Sequence, residues 1–151
     1  MLDFKDQTPA LPGYEEDFAL WLDAQAALLR SGQFARLDIE NLIEELHDMS
    51  SSQHRELGSR LVVLIKHLLK CEFQPRCKSR SWYSTIHEQR REIDALLESS
   101  PSLRHQLPEY SNKAYSHALK EGANETGLPE DSFPPQQPYT LEKLLNADFL
   151  P

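Results

Sequence analysis

The stretch from Asp38 to Cys71, DIENLIEELHDMSSSQHRELGSRLVVLIKHLLKC, decides the fold. Ile39, Leu42, Leu46, Met49, Gln53, Leu57, Leu61, Leu64, Leu68 and Cys71 follow one another at steps of three and four. That spacing keeps side chains on one face of an α-helix. Asp38 is a fitting N-cap, because its carboxylate can accept from the unpaired amides of the first turn. An unbroken helix from 38 to 72 would span about 50 Å. Ser50-Ser51-Ser52 offers a rival break, since Ser50 and Gln53 have the spacing of a capping box. Gly58 also costs about 1 kcal/mol relative to alanine inside a helix. The stripe nevertheless keeps one face through both places, with one extra step of four resembling a coiled-coil stutter. One continuous helix is the favoured reading.

Working outward, helical spacing recurs and no segment sustains period-two alternation. A first helix reads from Tyr14 to Leu29, with Tyr14, Phe18, Trp21, Leu22, Gln25, Leu28 and Leu29 on its stripe, and Ser31-Gly32 as the stop. Glu15, Glu16 and Asp17 suit the positive end of the helix dipole in the first turn. Beyond Pro75, Ser79 or Ser81 caps a third helix carrying Trp82, Ile86, Ile93, Leu96 and Leu97, which ends before Pro101. A fourth runs from Ser102 to Glu125 with Leu103, Leu107, Tyr110, Ala114, Ala118 and Leu119 inward, interrupted or restarted at Pro108. TGLPEDSFPPQQP reads as extended chain, and Thr140 caps a short terminal helix. The expected fold is all-α: an antiparallel helical bundle of four main helices plus a short C-terminal helix, with one long central helix. Residues 1–13 read as an extended segment and 14–151 as a single domain.

A chain of 151 residues suffices to bury a core. No apolar run reaches the length of a membrane span, and residues 1–13 lack the basic-then-apolar layout of a leader. Two cysteines are too few for a disulfide scaffold, so a cytoplasmic location is expected. The net charge of −8 argues against a chain-wide nucleic-acid surface. Yet residues 60–91 hold eight basic and two acidic side chains, a local charge of +6. Attraction between neighbouring helices within the fold is the plainer account of this asymmetry, and for the basic side chains of residues 76–91 it is pairing with acidic side chains of helices one and four.

Several constellations of side chains bear on chemistry. Glu44-Glu45-Leu46-His47 contains the Glu-x-x-His spacing of di-iron sites, but a second copy is missing from the chain. His67, Cys71, Cys77 and His87 offer mixed thiolate–imidazole ligands without the close cysteine pair of a zinc knuckle. No metal or other cofactor is therefore expected. No nucleophile elbow, phosphate-binding glycine loop or dinucleotide fingerprint occurs. Arg76, Lys78 and Arg80 before a helix start, with Trp82 and Tyr83 adjacent and Arg90 and Arg91 further on, form the strongest hint of an anion or nucleic-acid site.

LDIENLIEELHDM, SRLVVLIKHLLK, SRSWYSTIHEQRREI, SSPSL and FPPQQPYTLEKLLNADFLP, in that order, resemble a bacterial family of unknown function, domain-of-unknown-function family 29. The resemblance covers Tyr14 to Pro151 and implies a compact all-helical bacterial protein with no assigned activity. Paired Glu44-Glu45, His67-Leu68-Leu69-Lys70 and Ser81-Trp82 match its pattern, whereas Cys71 and Cys77 depart from it, which weakens the zinc reading further. The residues to watch are then His67, Lys70 and Trp82, joined by a carboxylate from Glu44 or Glu45, with Arg80 and Arg90 as further candidates. The sequence names no reaction. It favours a binding module for a protein partner or a second copy over an enzyme, the alternative being an anion or nucleic-acid site, or an enzyme, built on residues 76–91.

Overall fold

The computed structural model describes residues 10–151, so positions 1–9 of the expected extended segment lie outside the described residues. Five α-helices follow in order: α1 (Phe18–Arg30), α2 (Ile39–Phe73), α3 (Arg80–Ser99), α4 (Leu107–Thr126) and α5 (Leu141–Leu145). No strand occurs among the described residues, and the fold is an all-α helical bundle. The long helix is continuous: Ser50-Ser51-Ser52 and Gly58 both lie inside its 35 residues.

The helix ends follow local chemistry. Asp17 caps α1 in an extended conformation, its carboxylate accepting from the Leu20 amide at 3.0 Å. The acidic run therefore precedes the helix instead of filling its first turn, because the capping carboxylate fixes the start at Phe18. Gly32, at φ +71°, follows the last turn in the left-handed conformation that glycine adopts without steric cost. Ser79 caps α3 by accepting from the Trp82 amide, and Thr140 caps α5 by accepting from the Lys143 amide. The expected fourth helix is split. Pro101–Gln106 forms a 3-10 turn and α4 restarts at Leu107, with Pro108 in the first turn where its missing amide hydrogen is harmless.

The chain forms two compact units, whose boundary falls within α2 between Met49 and Ser50. In the second unit, side-chain pairs give the helix register. Gln53 meets Ser100, Arg60 meets Gln89 and Glu92, and Lys70 lies over Trp82, so α2 and α3 are antiparallel. His54 meets Tyr110, Lys66 meets Glu121 and Lys70 meets Glu125, so α4 runs parallel to α2 after two reversals. The core between them comprises Leu57, Leu61, Leu64, Ile65, Leu68, Leu69 and Cys71 from α2, joined by Ile86, Ile93 and Leu97 of α3. Leu107, Ala114, Tyr115 and Ala118 of α4 complete it with Leu144 of α5. The proline-rich connector contributes Phe133 and Tyr139 to the same core.

The first unit is an antiparallel helical hairpin. The Trp21 indole donates to Asp38, Gln25 accepts from the Asp38 amide, and the Tyr14 hydroxyl donates to Glu45. Of the stripe expected on α1, Trp21, Gln25 and Leu28 are buried, but Phe18, Leu22 and Leu29 are exposed. The stripe on α2 divides likewise: buried positions begin at Leu57, while Ile39, Leu46 and Met49 are exposed. Two helices cover only one edge of each other's apolar stripe, so periodicity marked an apolar face here without guaranteeing its burial.

Candidate functional site

Lys66 and Lys70, one turn apart on α2, face Glu121 and Glu125, one turn apart on the parallel α4. Lys66 reaches Glu121 at 3.0 Å and Glu125 at 2.9 Å, and Lys70 reaches Glu125 at 2.7 Å. The Lys70 ammonium also lies 4.5 Å from the centroid of the Trp82 ring, a cation–π contact. Hydrogen bonds from Lys70 first, and then Lys66, hold the Glu125 carboxyl down at about 2 despite opposing desolvation. His67 is half-buried, and its Nδ1–H donates to the Val63 carbonyl at 2.8 Å. Burial, followed by the charges of Lys70 and Lys66, pushes its pKa below the ordinary imidazole value. The imidazole is thus held neutral beside two ammonium groups.

The structure brings Lys70 and Trp82 together as expected, but the carboxylate that completes the group is Glu125. Glu45 accepts from Tyr14 and Glu44 is exposed, both within the first unit. The sequence signal for the true partner was a pair of i,i+4 rows, Lys66/Lys70 and Glu121/Glu125. Such rows meet only when the two helices pack with these faces together and in matching register, which the spacing alone does not give. Every member of this group finds a partner inside the protein, as a polar lock between helices requires.

Most of the remaining basic side chains hold partners inside the protein, some of them carboxylates and some backbone carbonyls. Arg60 pairs with Glu56 and Glu92, and Arg91 with Glu92. Lys78 donates to the Pro151 carbonyl at 2.7 Å. Arg90, only 2% exposed, donates to the carbonyls of Leu144, Phe149 and Lys143 at 2.8, 2.7 and 3.0 Å. It serves as the cationic cap of α5, meeting carbonyls that the short helix leaves unpaired. The sequence carried that signal too, since Arg90 interrupts the apolar series Ile86, Ile93, Leu97 at helical spacing. Among the described residues, Arg76 and Arg80 have no carboxylate within salt-bridge distance. The acidic partners expected on helices one and four for residues 76–91 do not appear among the described residues: Arg91 pairs with Glu92 of its own helix, and the carboxylates of α4 meet Lys66 and Lys70 of α2 instead.

Among the described residues no three His, Cys, Asp or Glu side chains are placed to share a metal ion. Cys71 is buried, and burial raises its thiol pKa, while Cys77 and His87 are exposed on other elements. His67, Cys71, Cys77 and His87 are therefore not gathered.

What the periodicity did not anticipate is the open surface of the first unit. Eleven large hydrophobic side chains are exposed among the described residues, and all but Leu150 lie between Leu11 and Met49. Ile39, Ile43 and Leu46 form an i, i+4, i+7 row on α2, and Phe18, Leu22 and Leu29 an i, i+4, i+11 row on α1. Leu46 is 63% exposed and Met49 67%. Single exposed leucines are ordinary, but rows on adjoining helices mark a surface that excludes water when covered.

These features can be set beside known proteins. The family model described as "Domain of unknown function DUF29" matches residues 13–150. The chain belongs to this family. No curated protein and no solved structure matches it. Membership of DUF29 assigns no activity to any residue. No helix among the described residues is long and apolar enough to cross a membrane.

Proposed function

We propose that this DUF29 chain is a protein-interaction module whose contact surface is the helical hairpin of residues 10–49. The observation that carries this reading is the paired exposed rows Phe18, Leu22, Leu29 and Ile39, Ile43, Leu46. Covering a side chain of this size is worth about 1.5–3 kcal/mol when burial is complete. Such a hairpin is half of a four-helix arrangement, and one or two further amphipathic helices would bury its uncovered edges.

Residues 10–49 carry nine carboxylates and two arginines, a net charge of −7. That charge opposes two hairpins meeting face to face and favours a partner whose helix has an apolar stripe bordered by lysines or arginines. The competing anion site at residues 76–91 is the weaker reading, because Lys78, Arg90 and Arg91 already hold protein partners. One cysteine buried and one exposed, both unpaired, suit a reducing cytoplasm.

The test compares capture from the native host by wild-type protein and by Ile43→Glu/Leu46→Glu, with circular dichroism to confirm equal helix content. Specific capture of a basic protein by the wild type and its loss in the variant is expected. A concentration-dependent dimer dispersed by the variant would replace the foreign partner with a second copy. Equal behaviour of the two proteins would refute the surface.

A further inference from the structure

The second unit contains an open groove that neither the polar lock nor the hairpin explains. It lies between α2 and the parallel α4 and has a volume of about 580 Å³. That lies within the roughly 300–1,000 Å³ of small-molecule sites. Its apolar walls come from Val62, Val63 and Ala114. The His54 Nδ1 and the Tyr110 hydroxyl are hydrogen-bonded at 2.9 Å at its edge.

Gly58 sits in the groove, in the middle of α2. A glycine there costs about 1 kcal/mol of helix stability. Close packing is the usual reason to accept that cost, yet a Cβ built on Gly58 meets nothing within 4 Å. The missing side chain is not making room for a neighbour in the fold. What it preserves is the space of the groove.

The charges around that space are mostly positive. Arg55 from α2 and Lys113 from α4 line it, with His54 and His117 as further donors. Arg55 has no carboxylate within salt-bridge distance among the described residues. Lys113 pairs only with Glu109 on its own helix, an exposed i,i+4 contact that a ligand can displace at little cost. Glu121 is the one acidic lining residue, and Lys66 already neutralises it.

We propose that this groove binds a small amphipathic anion, an apolar chain or ring bearing one carboxylate-like head. The apolar body lies along Val62, Val63 and Ala114 over Gly58, and the head meets Arg55 and Lys113. The site is independent of the hairpin surface and would stand if that surface proved inert.

Octanoate and 1-octanol serve as probes of equal chain length, with and without the charge. Titrations of isotopically labelled full-length protein, followed by NMR, should show saturable octanoate shifts at Val62, Val63 and Ala114. Octanoate is expected to bind at least tenfold more tightly than octanol. Arg55→Ala/Lys113→Ala should erase that difference while leaving octanol binding unchanged; both positions are exposed, so the fold survives. Gly58→Leu should fill the groove and abolish both titrations with helix content retained. Shifts confined to Leu46 and Met49, equal affinity for the two probes, or no saturation at all would each overturn the proposal.

Discussion

Glu125 shows how one side chain ties helices together and where that tie fails. Its carboxylate accepts from both Lys66 and Lys70, and the Lys70 residue is only 8% exposed. Because the folded-state pKa lies near 2, below the ordinary 4.5, the folded protein binds this proton less readily than the unfolded chain. The resulting stability is fully present above pH 4.5 and is lost as pH falls towards 2. The Glu125 side chain is 42% exposed, so screening by water reduces the contribution to about 1 kcal/mol. Denaturant titrations from pH 6 to 2 should therefore show Glu125→Gln less stable than wild type by about that amount at the upper end, with the gap closing at the lower end. A gap that stays constant with pH would show that the charge is not what the variant removes. His67 adds a separate loss that begins as pH drops below 6.5, since burial disfavours its cationic form.

At the scale of elements, α5 has only five residues and cannot hold itself together. Its stability is borrowed from Leu144, fully buried in the core, and from the three carbonyls satisfied by Arg90. Arg90→Met keeps the apolar stem of α3 and removes the donors, leaving at least the Leu144 carbonyl without its partner. A cost of about 3 kcal/mol is expected from chemical denaturation. It should be accompanied by faster amide exchange in residues 141–149 than in α3. Unchanged exchange there would show that Leu144 alone holds the segment. Much of this level was legible in advance. The continuity of α2 followed from its unbroken stripe, and the Thr140 and Ser79 caps from their residue types. The start of α1 was misplaced because Asp17 suits both a first turn and a cap, and only backbone geometry distinguishes them. Glu125 was missed because a carboxylate on α4 becomes a neighbour of Lys70 only once the parallel register is known. The exposure of residues 39–49 was not legible in the stripe, because periodicity reports an apolar face and not what covers it.

Across the whole molecule, apolar burial is uneven. The second unit contains a continuous core drawn from α2, α3, α4 and α5, whereas among the described residues of the first only Trp21, Gln25 and Leu28 are buried. Local opening is governed by such differences in buried contact. Hydrogen exchange of the full chain should show amides of α1 and of residues 39–49 exchanging at least tenfold faster than those of residues 57–71, although α2 is one helix. Uniform protection along α2 would mean that helix continuity, and not burial, sets its stability.

The parallel course of α2 and α4 carries a further electrostatic consequence. Both helices end on the same side, where the Gln74 amide donates to the Thr126 carbonyl at 3.0 Å. Two negative helix termini are thereby brought side by side, with Glu121 and Glu125 adding formal charge to the same end. Antiparallel neighbours would cancel their dipoles; these two add. Lys70, in the last turn of α2, thus serves as a counterion for aligned peptide dipoles as well as for Glu125, beside the positive N-terminus of the antiparallel α3.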